Sequence, residues 1–284
     1  MKIIECPRDA MQGLHDFIPT AEKVRYLDAL LKVGFDTLDF GSFVSPKAIP
    51  QMRDTAEVLE QLNLENTATK LLAIVANRRG ALSAASFAEV DVLGYPFSIS
   101  ETFQLRNTNA TIEESLDRVK GIQEICLQNN KTLLIYISMG FGNPYGDYWN
   151  VEIVQKWVEQ LAKLDITIFQ LSDTIGVAEP ANIEYLFKNL IPANPNIEIG
   201  AHFHTTQDTW EEKIVAAYEN GCRRFDGTIR GYGGCPMAQN KLVGNMPSEN
   251  LVAFAKDRNI ATGLDLDSYY DAMKISGQIL KEGH

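Results

Sequence analysis

Eight short apolar runs rich in β-branched residues recur along the chain. They are KIIEC (2–6), DTLDF (36–40), KLLAIVA (70–76), VDVLGY (90–95), TLLIYIS (132–138), TIFQLSD (167–173), IEIGAHFH (197–204) and RRFDGTI (223–229). Runs of this length and composition predict strands. Between most of them lie longer stretches with apolar residues at helical spacing. In TAEKVRYLDALLKVG, Val24, Leu27, Leu30 and Leu31 share one face; Thr20 is placed to cap the start and Gly34 to end it. TIEESLDRVKGIQEICLQ (111–128) and NVEIVQKWVEQLAKL (150–164) carry the same period. Eight strands separated by helices predict an α/β fold, a (β/α)8 TIM barrel, whose typical ~250 residues suit this chain. No linker or composition break divides it, so residues 1–284 are expected to form one catalytic domain. A doubly wound sheet fits less well, because CPRDAMQG rather than a glycine-rich phosphate loop follows the first run.

Charge and cysteine usage narrow the function. A net charge of −11 argues against a nucleic-acid partner, which would want a basic face. It leaves room for a small anion held by a few local arginines. No run approaches the ~20 apolar residues of a membrane span. Cys6, Cys126, Cys222 and Cys235 form no CxxC, and the start of the chain lacks a secretory-type apolar run. A reduced, cytoplasmic protein with free thiols is expected.

In a (β/α)8 barrel the chemistry sits at the C-terminal ends of the strands. Those ends supply Arg8 and Asp9, Asp39 and Ser42, Ser138, Asp173 and Thr174, then His202 and His204; Cys235 and Asn245 follow the eighth run. His202 and His204 are two of only four histidines, and one residue apart on a strand they share a face. An HxH pair by itself is more often a hydrogen-bonded core or surface pair than a metal site. A carboxylate and an amide at the same barrel end change that balance. Such a set suits a divalent ion with open positions; oxygen ligands without thiolate favour Mg²⁺ or Mn²⁺, and Zn²⁺ also fits the ligand types. Asp9 can hold a cation and Arg8 can stabilise an anionic oxygen, although an Arg-Asp dipeptide is commonly a surface turn. Cys235 lies in GYGGCP, where a thiol can simply pack or can move protons in and out of a site. The pair Arg223-Arg224, at the start of the eighth run and so at the opposite barrel end, reads as solvated or interfacial.

The segments PRDAMQG, SFVSPKAIPQM, LSDTIGV, AHFHTT and GGCPMAQ…GN, in this order, resemble the 3-hydroxy-3-methylglutaryl-CoA (HMG-CoA) lyase family over nearly the whole chain. That family belongs to a wider group of metal-dependent TIM-barrel lyases and Claisen-type synthases. The resemblance implies that Asp9, His202, His204 and Asn245 bind a divalent metal. It implies catalytic roles for Arg8 at the developing enolate, for Cys235 as a loop thiol, and for Asp39 and Asp173. Arg8, Gln12, Ser42 and Ser138 are the expected substrate contacts. The implied reaction is retro-Claisen cleavage of an acyl-CoA to acetyl-CoA and acetoacetate, a step of leucine degradation, by a homodimer. The enolate would be protonated by the Cys235 thiol or by a water on the metal.

Three departures from the family pattern point to a distinct subgroup with a related 3-hydroxyacyl-CoA as substrate. Asp39 stands where a glutamate is usual, His15 where a lysine is usual, and one extra residue separates Cys235 from Asn245. Two other readings compete: an aldolase or Claisen-type synthase acting on a 2-keto acid, and a barrel that binds acyl-CoA without catalysis.

Overall fold

The structure is a computed structural model that describes residues 1–234 and 243–280. All eight predicted runs are strands: β1 (Lys2–Glu5), β2 (Thr37–Ser42), β3 (Lys70–Ile74), β4 (Val90–Ser98), β5 (Thr132–Ser138), β6 (Ile168–Asp173), β7 (Glu198–Thr205) and β8 (Arg224–Gly227). Each pairs in parallel with the next, and β8 pairs in parallel with β1, which closes a (β/α)8 barrel. A two-residue strand, β9 (Gly244–Asn245), adds antiparallel to the end of β7.

The closed ring leaves each strand with two buried faces. Outward residues such as Ile3, Leu93 and Phe169 pack beneath the helices, with Leu27, Val119 and Phe187 from the helical layer. Inside the ring a separate apolar cluster, Leu72, Ile74, Val92, Leu134 and Tyr136, fills the side built by β3, β4 and β5. The opposite side of the interior, from β7, β8, β1 and β2, is polar. This division makes the upper part of that side available for chemistry.

Local signals explain most helix boundaries. Helix Ile112–Gln128 starts on a reciprocal capping box between Thr111 and Glu114, and helix Val151–Ala162 on the Asn150 side chain, which accepts from Ile153 N–H. Gly34 follows helix Thr20–Leu31 with φ +83°, the left-handed region open to glycine. Thr20 does not cap that helix. Pro19 precedes it, Thr20 lies inside, and its hydroxyl donates to Asp54 Oδ2 at 2.9 Å.

Arg224 also departs from expectation. It is 2% exposed, and its Nη1 lies 3.0 Å from Asp36 and 3.5 Å from Glu198 at the amino-terminal end of the barrel. Only Arg223 is exposed. Residue 224 follows the inward face of a strand with polar neighbours, so its charge is used as a plug. No helix among the described residues is long and apolar enough to cross a membrane.

The end of β1 is held from outside the ring. Glu5 is fully buried; Oε1 accepts from Ile229 N–H at 2.7 Å and Oε2 from the Ser248 hydroxyl at 2.5 Å. Burial pushes its carboxyl up to about 8, against the pull of those hydrogen bonds. Between the ordinary value of 4.5 and about 8 the folded chain keeps a proton that the unfolded chain has released. Stability therefore falls as pH rises through that window. Urea denaturation at pH 5, 6.5 and 8 is expected to show a shallower fall for Glu5→Gln than for the parent; equal slopes would refute the buried-proton account.

Candidate active site

The turn after β1 is not a loop. Helix Pro7–Gln12 begins at once, with Pro7 at its first position, where its missing N–H costs nothing. This short helix puts Arg8, Asp9 and Gln12 on the rim. Arg8 is clamped by carboxylates on both sides: Nη1 donates to Asp9 Oδ1 at 2.8 Å, and Nε and Nη2 to Asp39 Oδ2 at 3.1 and 2.5 Å. Burial opposes charge on Arg8, but Asp39 and Asp9 outweigh it and hold the guanidinium firmly protonated. Asp39 has no solvent exposure. Burial pushes its carboxyl up to about 6, resisted by Arg8 and aided by the nearby Asp9 and Asp226 charges.

Asp9 is the centre of a wider knot. Gln12 Nε2 donates to Oδ1 at 2.6 Å and Asn245 Nδ2 to Oδ2 at 2.8 Å. Burial would raise the Asp9 carboxyl, yet Arg8, His202, His204 and the Asn245 hydrogen bond together hold it below the usual range. Asn245 reaches it because β9 pairs with β7, which sets Asn245 opposite His204. Its amide nitrogen also donates to Tyr232 O at 3.0 Å. With both donors committed, its Oδ1 is left as the acceptor.

The two histidines are oriented from behind. His204 Nδ1 lies 2.8 Å from Thr174 O. A carbonyl only accepts, so Nδ1 carries the hydrogen and Nε2 the lone pair. His202 Nδ1 likewise faces Asp226 Oδ2 at 3.0 Å. Burial favours a neutral His202, but the hydrogen bond to Asp226 and its charge raise its affinity for a proton; burial and the adjacent His202 lower that of His204. Ligand atoms of Asp9, His202 and His204 all lie within 4.8 Å of one another. His204 Nε2 is buried and has no hydrogen-bond partner among the described residues. A buried lone pair without a donor is costly. A divalent cation would satisfy it, so the residues fit such a group. Hydrogen bonds to the second ring nitrogen are also how metal-ligating histidines are commonly fixed.

These groups open into one cavity of about 210 Å³. Arg8, Asp9, Gln12, His202 and His204 form its polar wall, with Ser138 beside them; Val44, Ile49, Ile74 and Pro96 form an apolar wall. Three expected residues lie elsewhere. Asp39 stands behind Arg8, from which it accepts hydrogen bonds. Ser42 lines a neighbouring cleft with Arg53 and Arg79. Asp173 points away from the cavity: Oδ2 takes the Lys213 ammonium at 2.6 Å and Oδ1 accepts from Val177 and Ala178 N–H at 2.7 and 3.0 Å. Its neighbours Ser172 and Thr174 face the cavity instead, as strand alternation requires. Asp173, expected as a catalytic residue, thus lies behind the cavity wall, where it pins the loop whose Thr174 carbonyl holds His204. Cys235 lies outside the described residues. His15 is exposed, and among the described residues its polar partner is Asp16.

Asp226 and Lys213 were not anticipated. Asp226 had a signal: charges at 224 and 226 share one face of a strand in a fold whose strands are buried. Lys213 had none, because an inward lysine on a surface helix reads like any other.

A closed barrel with a carboxylate, two aimed imidazoles and a clamped guanidinium at its C-terminal rim defines a barrel enzyme with a candidate divalent-cation centre. The HMGL-like family model matches residues 2–275, and the chain belongs to that family of carbon–carbon lyases. It is 33% identical over 268 residues to a hydroxymethylglutaryl-CoA lyase of Bacillus subtilis, covering 94% of this chain and 89% of that one. A 3-hydroxy-3-isohexenylglutaryl-CoA/hydroxymethylglutaryl-CoA lyase of Pseudomonas aeruginosa is 32% identical over 269 residues, or 94% and 88% of the two chains. The structure of an HMG-CoA lyase from Acinetobacter baumannii in complex with coenzyme A and 3-methylmalate superposes with TM-score 0.90 and 31% identity, covering 99% and 91%.

Lys213 is 1% and Asp173 0% exposed, so removing one partner strands the other charge in the core. Lys213→Ala is expected to lower stability by about 3–5 kcal/mol, read by chemical denaturation. A loss below ~1 kcal/mol, the range of exposed pairs, would show that the pair is not a structural anchor.

Proposed function

We propose that this chain is a divalent-cation-dependent lyase that cleaves HMG-CoA, or a closely related 3-hydroxyacyl-CoA, to acetyl-CoA and acetoacetate or its homologue. The observation that carries the reading is the convergence of Asp9, His202, His204 and Arg8 on one cavity wall, in a chain whose relatives are HMG-CoA lyases. Asp9, His202, His204 and the Asn245 oxygen would hold the cation, with Mg²⁺ or Mn²⁺ suited to this mixed oxygen and imidazole set. When bound, the cation would polarise the substrate's C3 hydroxyl and lower its pKa.

The chain's own groups then account for the remaining needs. Loss of the hydroxyl proton lets the C2–C3 bond break, and its electron pair passes to C2 and the thioester oxygen as an enolate. Arg8 offers that oxygen a permanent cation, held in place by Asp9 and Asp39 so that no reorganisation is needed as charge develops. A proton then adds to C2 to give the acetyl thioester. Cys235 is a candidate donor for it. The apolar wall of Val44, Ile49, Ile74 and Pro96 would receive the C3 alkyl branch and exclude water from the enolate. A coenzyme A thioester is the natural carrier, since a relative of the same fold binds coenzyme A.

Purified protein incubated with HMG-CoA should release acetoacetate only when Mg²⁺ or Mn²⁺ is present. His202→Ala and His204→Ala should each lower kcat by at least about a hundredfold, in line with the loss of a bound cation's stabilisation, while retaining the parent's circular dichroism. Undiminished turnover in both variants would sink the cation assignment. No acetoacetate from a protein that still binds Mn²⁺ would move the substrate to another 3-hydroxyacyl-CoA.

A further inference from the structure

Asp226 holds His202 with one oxygen, and its other oxygen accepts a hydrogen bond from Gln170 Nε2. Gln170 lies on β6 and Asp226 on β8, and β7 runs between them. The amide reaches across at Gly200, the residue paired with Gln170 in the β6–β7 register. A Cβ on residue 200 would lie 1.8 Å from Gln170 Oε1 and 2.8 Å from its amide carbon. Gly200 is absent from the positive-φ glycines, so its backbone does not demand glycine. Glycine is demanded by the passage of the Gln170 side chain together with the Arg224 carbonyl, which a Cβ there would meet at 2.8 Å.

Gln170 is fully buried and Asp226 is 3% exposed. Gln170 Oε1 has no partner among the described residues. The amide therefore gives up one hydrogen-bonding atom in the core, where a polar group without a partner is destabilising, while Nε2 serves Asp226. A core that needed only volume at this point would be better filled by leucine or methionine. With one oxygen tied to Gln170, the Asp226 carboxylate cannot turn freely, and its second oxygen stays at the His202 Nδ1. That fixes both the hydrogen on Nδ1 and the plane of the ring, and so aims the Nε2 lone pair at Asp9 and His204.

We propose that Gln170 is a positioning residue for the cation centre, acting through Asp226 on the tautomer and orientation of His202, and that Gly200 is the opening through which it acts. The cation itself rests on the function proposed above; the effect on His202 does not.

Two readouts on substrate-free protein test this. ¹⁵N-histidine NMR of the metal-free chain, which has only four histidines, reports which ring nitrogen of His202 carries hydrogen once its signals are assigned with His202→Gln. At a pH high enough that the His202 ring is neutral, the parent is expected to show the Nδ1–H form, and Gln170→Leu a mixture with the Nε2–H form. Mn²⁺ affinity, followed by electron paramagnetic resonance, is expected to weaken about tenfold or more, as for other groups that orient metal ligands. Gln170→Met, more adaptable in shape, serves if the leucine variant does not fold. Adding either to Asp226→Asn should produce no further loss, because Gln170 acts only through Asp226. An unchanged tautomer and affinity in the Gln170 variants, or losses that add to that of Asp226→Asn, would overturn the proposal. If the parent binds no Mn²⁺, the cation reading fails, and the NMR comparison alone decides the role of Gln170.

Discussion

The carboxylate of Asp9 is where distant parts of the chain meet. Donors come to it from its own helix through Arg8 and Gln12, and from the far end of the chain through Asn245. Each needs a different structural device. Helix Pro7–Gln12 must start directly after β1, β9 must dock on β7, and the ring must close between β1 and β8. A buried carboxylate is tolerated only when surrounded by such donors and charges. The site and the closure of the barrel are therefore one constraint seen from two sides.

The barrel interior is divided to serve that constraint. Leu72, Val92 and Leu134 fill one side with volume, and the polar side carries charge in stacked pairs, from Arg224 with Asp36 below to Arg8 with Asp39 above. Charged groups placed this deep add little net stability compared with apolar packing. Their persistence on one side reflects the need for fixed directions. An imidazole or guanidinium surrounded only by leucines would have no preferred orientation, whereas here each has a named partner at its back.

Much of this was legible in the sequence. The eight strands declared themselves through β-branched runs, and the pairing of His202 with His204 followed from strand alternation alone. The candidate cation ligands Asp9, His202, His204 and Asn245 do come together, as do Arg8, Gln12 and Ser138 around the cavity. What escaped was direction. Asp173 sits at a strand end like its neighbours, yet alternation turns it outward to Lys213 while Ser172 and Thr174 turn in. Asp226 follows two arginines that read as a surface pair, and only the shared strand face of residues 224 and 226 hints that Arg224 and Asp226 turn into a closed ring. Gln170 and Gly200 are informative only as a pair, and their pairing is set by register between strands about 30 residues apart in sequence, the usual length of a βαβ unit.

The way Asn245 is held has a bearing on how such a site can diversify. The segment from Cys235 to residue 242 leaves from Gly233, whose surroundings are the Asp9 carbonyl and the Asn245 amide, and returns at Gly244, beside the Gly231 carbonyl. Both ends thus lie close to the knot in which the Asn245 amide donates to Asp9 and to the Tyr232 carbonyl. Lengthening a chain between fixed ends costs only a logarithmic loss of entropy. A chain one residue longer between these two ends would meet only that small cost, with the Asn245 amide still held by Asp9 and Tyr232. Changes of length between Gly234 and Val243 are thus cheap for the fold, and relatives can differ there while inheriting the contact between Asp9 and Asn245 unaltered.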